Sequence, residues 1–146
     1  EVATKSPLIV KVPGMDQAGV PSDGIVEAVD LFPTLVDLCG LSAPPGLAGR
    51  SVRSMVENPN SPGKEAAYST HGGGRGFAGH TVRTEGHRLV RWVNRAGEVG
   101  LVELYDYQKD PKENVNVAEE HPDLVEELTK KLILKMNQVV KSSHAE

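Results

Sequence analysis

The sequence contains few of the residues that identify a class of protein directly. Its 146 residues include one cysteine, one tryptophan and two phenylalanines, and aromatic residues make up only 4% of the chain. One cysteine cannot form a disulfide within the chain, and no apolar run approaches the roughly 20 residues of a membrane-spanning helix. The net charge of −4 gives no bulk attraction to nucleic acid or to a membrane surface. We therefore expect neither of them as a partner.

The residues that are present indicate an ordinary globular chain with many loops. Hydrophobic residues make up 38% and charged residues 25% of the sequence, which is the usual balance. The fifteen glycines and ten prolines favour loops, and loops often carry function. Because composition does not distinguish one globular class from another, the prediction of fold and function depends on local patterns.

The first part of the chain alternates short apolar segments with loops. The run 7–12 is β-branched and bounded by prolines, which is typical of a buried strand, and 25–29 predicts a second strand. Apolar residues then recur at helical spacing after Asp30, whose carboxylate can cap the free amides of a first turn. Gly40 closes this helix, which we predict to be well buried. Cys39 lies on its apolar face, so we interpret it as a buried hydrophobic residue and not as a nucleophile.

The second part of the chain predicts a small sheet and a helix. Residues 58–64 have a linker composition, so we place a boundary there, with a first unit at 1–58 and a second at 59–146. Four short strand-like segments separated by turns follow and predict an antiparallel meander. The last segment begins with Pro122 and carries one apolar stripe at helical spacing. We expect this helix to cover one face of the four-stranded sheet.

A glycine-rich loop between the first two predicted strands carries the candidate binding residues, His71, Arg75 and His80. An arginine forms charge-assisted, bidentate hydrogen bonds with sulfate or carboxylate, and consecutive glycines allow backbone amides to approach an anion. The alternative is a solvated surface loop without a ligand. The histidines have no carboxylate or cysteine at ligand spacing, so we predict no metal site within the chain.

Three separated segments of the chain resemble sulfatases. Residues 1–9 fit E-x-A-T-x-x-P-L-I, residues 29–40 fit V-D-L-F-P-T-L-x-D-L-x-G, and residues 103–116 fit E-L-Y-D-x-x-x-D-P-x-E-N-x-N. With the R-T-x-x-x-R hairpin at 83–88, they resemble the C-terminal part of a sulfatase, most of all the iduronate-2-sulfatase-like group. The resemblance implies an α+β fold. A four-stranded antiparallel sheet packed by a long C-terminal helix would follow the last strand and helix of an α/β, alkaline phosphatase-like domain.

The resemblance also implies an activity, the hydrolysis of a sulfate ester on a sulfated sugar or a similar small molecule. In that family a formylglycine nucleophile and a calcium ion carry out the hydrolysis. The residues that provide them lie upstream of the position that corresponds to Glu1. Cys39 is followed by glycine and lacks the C-x-P-S-R context of the nucleophile. The resemblance thus implies that the chain contains no catalytic residue and is inactive alone. Its partner would be an upstream catalytic domain of the same polypeptide, in a periplasmic, secreted or lysosomal-type compartment.

Other interpretations stay open at this point. Residues 69–72 depart from the Y-S-Q-Y-P-R pattern of the iduronate-2-sulfatase-like group, so the substrate is undetermined. The chain also fits the tail of a related phosphonate or phosphate monoester hydrolase, or a stand-alone binding module. An uncovered strand at 7–12 would allow self-association through its open edge.

Overall fold

The computed structural model describes residues 4–72 and 76–142, and side chains within them up to residue 138. The chain forms two compact units, Glu1–Gly63 and Lys64–Glu146. The second unit carries the candidate binding residues and contains a sheet of four strands, β1 (Ala66–Gly72), β2 (Phe77–Thr84), β3 (His87–Asn94) and β4 (Val99–Asp106). These strands are antiparallel and lie in the order β1-β2-β3-β4, which confirms the predicted meander.

Alternation along the strands determines which face of this sheet is covered. Val82, Leu89 and Leu104 lie opposite one another on β2, β3 and β4, and each is fully buried. Leu128 and Leu132 of the C-terminal helix α3 (Pro122–Ser142) complete the same cluster with 2% exposure each. Because side chains alternate between faces, this helix covers one face of the sheet, as predicted.

The helix α3 has the charge pattern that its position requires. Lys130 pairs with Glu126 at 2.5 Å and Lys131 with Glu127 at 3.3 Å, both at i,i+4 spacing. These pairs lie on the solvated face and leave the leucine stripe free to pack. No helix among the described residues is both long enough and apolar enough to span a bilayer.

The free edge of β4 is covered by a segment that follows it. The Asn116 side chain accepts a hydrogen bond from the Leu104 amide at 2.9 Å and donates one to the Val102 carbonyl at 3.1 Å. The Val117 amide donates to the Leu104 carbonyl at 2.9 Å. An amide side chain thereby takes the place of a fifth strand, and it blocks pairing with another chain at this point.

The first unit contains a 3-10 turn (Ala28–Asp30), helix α1 (Leu31–Leu38) and helix α2 (Arg53–Glu57). Gly40, with φ 68°, ends α1, and the Leu41 amide donates to the Val36 carbonyl at 3.0 Å. This is the predicted left-handed glycine cap.

Asp30 does not cap α1, contrary to our prediction. Its carboxylate accepts one hydrogen bond from the Glu27 amide at 2.9 Å and another from the Arg50 amide at 2.8 Å. The 3-10 turn already precedes α1, so the Asp30 backbone is helical and its side chain points away from the free amides. Asp30 is 1% exposed, and its carboxylate ties the start of α1 to the backbone at Arg50.

Several expectations for the first unit were wrong. Residues 7–12 form no strand and Ile9 is 90% exposed, while 25–29 leads into the 3-10 turn instead of a strand. A strand forms only with a partner for its backbone groups. Helix α1 exposes most of its apolar face, with Leu35 59% exposed, and Cys39 is exposed just beyond the last helical residue.

Candidate functional site

The candidate binding residues lie where β1 and β2 meet. His71 lies near the C-terminal end of β1, His80 lies in β2, and Arg75 falls outside the described residues. His71 pairs with Gly79 in the antiparallel register, and Gly79 pairs in turn with Trp92 of β3. These three residues therefore form one row across three strands.

The structure does not bring the two histidines together. Successive residues of a strand point to opposite faces, so His80 lies on the α3 side while its neighbour Gly79 faces His71. The Nδ1 atom of His80 is 3.0 Å from the Thr70 hydroxyl. The ring borders a shallow depression of about 160 Å³ that is also lined by Arg91, Leu132 and Met136.

The His71 imidazole lies on the other face of the sheet and contacts Trp92. The centres of the two rings are 4.9 Å apart and their planes are nearly perpendicular, at 86°. Edge-to-face contacts of this kind are favourable for aromatic rings because positive ring edges meet negative ring faces. Gly79 lies on β2, between the strands that carry His71 and Trp92, and has no side chain, so the imidazole can reach across it.

Trp92 is fixed in turn by a carboxylate. Its indole Nε1 donates to Glu103 at 2.6 Å, and the Tyr105 hydroxyl donates to the other oxygen of Glu103 at 2.9 Å. Burial, followed by the hydrogen bond to Glu103, raises the pKa of Tyr105 to about 12. The phenol therefore keeps its proton at neutral pH and remains a donor to the carboxylate.

A second polar group lies at the far end of the same face. Arg88 pairs with Glu113 at 2.5 Å, with the side chains only 18% and 10% exposed. Tyr107 donates to the same carboxylate, and the Arg83 guanidinium stacks 3.7 Å from the centre of the Tyr107 ring. Arg88 is thus held by a partner from outside the β2–β3 hairpin.

Sequence reasoning missed most of this network. Trp92 is half-buried on the face opposite to the leucine cluster and is not a member of that cluster. The only available signal was strand alternation, which places Trp92, Glu103 and Tyr105 on one face once the register is known. The partner of Arg88, Glu113, follows the turn at Asp110 and Pro111, and no local pattern predicts that this turn places Glu113 next to Arg88.

The arrangement offers hydrogen-bonding and aromatic groups and not a metal centre. Among the described residues, no group of three or more His, Cys, Asp or Glu side chains is placed to hold a metal ion. The face that carries His71 combines an imidazole, an indole and a fixed carboxylate.

Comparison with known protein families decides what the chain is. Residues 1–142 match the family described as N-sulphoglucosamine sulphohydrolase, C-terminal. The chain belongs to this family. The predicted origin in the C-terminal part of a sulfatase is confirmed, and the α+β fold agrees with it. The narrower iduronate-2-sulfatase-like assignment stays a prediction.

Individual sulfatases are similar to nearly the whole chain. Arylsulfatase K of Mus musculus is 27% identical over 142 residues, which cover 90% of this chain and 25% of the relative. An N-acetylglucosamine-6-O-sulfatase of Bacteroides thetaiotaomicron is 29% identical over 127 residues, or 80% of this chain and 22% of the relative. The chain spans about a quarter of the length of these curated relatives.

A solved structure shows the same architecture in a larger protein. It was determined in complex with its substrate, D-glucosamine-2-N,6-O-disulfate, and it is 25% identical to this chain with a TM-score of 0.76. The likeness covers 94% of this chain and 28% of that one. The sulfatase C-terminal domain is thus a part of a longer protein in each of these relatives.

Proposed function

We propose that the chain is the C-terminal unit of a longer sulfatase that hydrolyses a sulfate ester on a sulfated amino sugar. The family match over residues 1–142 carries this proposal. The substrate class is supported by a relative named for N-acetylglucosamine 6-O-sulfate and by a solved relative whose substrate is a glucosamine disulfate. In both relatives the match covers only about a quarter of the longer protein, 22% and 28% respectively.

The chain contributes a framework and one side of the substrate pocket, without catalytic residues of its own. His71, Arg75 and His80 are the pocket residues in this proposal. Because His71 and His80 point to opposite faces of the sheet, one small sugar contacts only one of them directly. His71 is the better placed of the two, because the residue is exposed and its ring is held against Trp92.

The formylglycine nucleophile and the calcium ion belong, in this proposal, to the upstream catalytic domain. The described residues of this chain do not fit such a centre, because they gather no set of three metal-ligating side chains. We therefore assign no step of the reaction to a metal held by this chain.

The upstream domain is also the proposed partner of the first unit. Leu31, Phe32 and Leu35 of α1 are 42%, 53% and 59% exposed, and Ile9 is 90% exposed. Exposed apolar groups of this size favour a protein contact. Self-association through the same surface is the alternative, and light scattering of the isolated chain would detect it as a rise in mass with concentration.

The proposal is tested by comparing the isolated chain with the full-length polypeptide. Each is given an aryl sulfate, D-glucosamine-2-N,6-O-disulfate and a phosphate monoester, with calcium present. We expect turnover of the sulfates by the longer protein and none by the chain alone. Sulfate release by the isolated chain would contradict the assignment of the catalytic groups. Preference of the longer protein for the phosphate ester would favour a phosphate or phosphonate monoesterase instead.

A further inference from the structure

The His71 side chain occupies a space that the sequence leaves open for it. A Cβ atom added to Gly79 would lie 2.6 Å from Cε1 of His71, 3.0 Å from Nε2 and 3.2 Å from Nδ1. Carbon atoms do not approach that closely, so any other residue at this position would displace the imidazole. The ring therefore lies directly over the bare backbone of β2, which is buried at Gly79.

The direction of the imidazole follows from this geometry. Neighbouring strands are about 4.8 Å apart, so a residue of β1 normally reaches only as far as β2. Across Gly79, His71 reaches Trp92 on β3, with the ring centres 4.9 Å apart. Two sides of the imidazole are thus occupied, by backbone and by indole, and the ring is held although the residue as a whole is exposed.

The support continues behind Trp92. Glu103 accepts from the indole at 2.6 Å with one oxygen and from Tyr105 at 2.9 Å with the other. A carboxylate with both oxygens engaged restricts the rotation of the indole, and an aromatic ring that cannot rotate presents a constant surface to its neighbour. Groups that contact a ligand bind it more tightly when their own orientation is fixed in advance.

We propose that Gly79, Trp92 and Glu103 are positioning residues that hold the His71 imidazole ready to donate a hydrogen bond to the sulfated sugar. This inference rests on the proposed function, in which this end of the sheet borders the substrate pocket. The ligand group is a sulfate or hydroxyl oxygen, because an imidazole N–H donates to either. His80 has no such role, since its ring lies on the other face beside Thr70.

The central experiment substitutes Gly79→Ala and follows both geometry and catalysis. In the 146-residue chain, NMR of the His71 ring should show changed ring-current shifts, because the new methyl group displaces the imidazole from Trp92. In the full-length enzyme, KM for D-glucosamine-2-N,6-O-disulfate should rise roughly tenfold, which corresponds to one charge-assisted hydrogen bond, with little change in kcat.

Two further variants separate positioning from general damage to the fold. Gly86→Ala is the matched control, because Gly86 lies in the β2–β3 turn and an added Cβ would have nothing within 4 Å. It should leave the His71 resonances and KM unchanged. Trp92→Phe keeps an aromatic ring but loses the hydrogen bond to Glu103, so it should raise KM less than Gly79→Ala does.

The outcomes distinguish this inference from the proposed function. If Gly79→Ala leaves the His71 resonances unchanged, Gly79 and Trp92 do not position the ring and the inference fails by itself. If the resonances move but KM is unchanged in both Gly79→Ala and His71→Ala, the ring is positioned but contacts no substrate. That result overturns the inference together with the proposed pocket role, and leaves the family assignment standing.

Discussion

Substitution of Leu128 by alanine tests how the helix α3 stabilises the second unit. Leu128 is 2% exposed and packs in the cluster formed by Val82, Leu89 and Leu104. Removing three buried carbon atoms costs about 2.4 kcal/mol at roughly 0.8 kcal/mol each. The residual cavity adds to this, so we expect a loss of about 3–4 kcal/mol in the free energy of unfolding. Such a loss is a large part of the about 5–15 kcal/mol that stabilises a typical domain.

Leu134 provides the matched control, because it lies on the same helix and is 62% exposed. Leu134→Ala makes the same chemical change and has the same effect on helix propensity, so we expect a loss below about 0.5 kcal/mol. Urea unfolding followed by fluorescence reports on the second unit alone, because Trp92 is the only tryptophan. Equal losses in the two variants would refute the packing of this face of α3 against the sheet.

Three other predictions concern Tyr105, Asp30 and Arg75. The absorbance difference at alkaline pH between the wild type and Tyr105→Phe should titrate near pH 12, because burial and Glu103 raise the pKa of Tyr105 to about 12. The raised pKa stabilises the fold at pH values below about 10, and this contribution is lost as the pH rises towards 12. A titration midpoint near pH 10 would contradict the raised pKa. Asp30→Ala removes the acceptor of the Arg50 amide, so we expect faster hydrogen exchange of that amide and a loss of about 1–3 kcal/mol in the free energy of unfolding. Unchanged protection of the amide would show that Asp30 is dispensable. Arg75→Ala in the full-length enzyme should raise KM more than it lowers kcat. A loss of kcat with an unchanged KM would contradict the proposed role of Arg75 in substrate binding.

The second unit was predictable because its patterns are local. Alternating strands, the Glu-Gly turn at 85–86 and the leucine stripe after Pro122 each lie within one short segment. The register follows from tight turns, and the helix must cover the face on which the leucine cluster lies. The order of the four strands and the position of α3 were therefore within reach of the sequence.

The first unit was predicted less well, for a reason that is also physical. A β-branched run such as 7–12 becomes a strand only where another strand pairs with it, and an apolar helix face is buried only where something packs on it. Residues 7–12 and α1 have the composition of buried elements, but Ile9 is 90% and Leu35 59% exposed in this chain. Asp30 shows the same limit, because its distant partner, Arg50, is absent from any local pattern.

The candidate site shows most clearly which features the sequence predicts and which only the structure reveals. The sequence singled out His71, Arg75 and His80 by residue type, and the three sulfatase-like segments led to the correct family. It did not reveal that the histidines point to opposite faces of the sheet, nor that His71 is held by Trp92 across Gly79. Those relations depend on which residues the strand register places side by side.

Taken alone, the amino-acid sequence determined the elements of the second unit, the absence of a disulfide within the chain, and membership of the sulfatases. Only the tertiary structure decided which of the polar side chains act together. Local propensity and apolar periodicity are properties of neighbouring residues in the chain, whereas the contacts of His71, Trp92 and Glu103 join three different strands. Such contacts exist only after the hydrogen bonds between those strands have set their alignment.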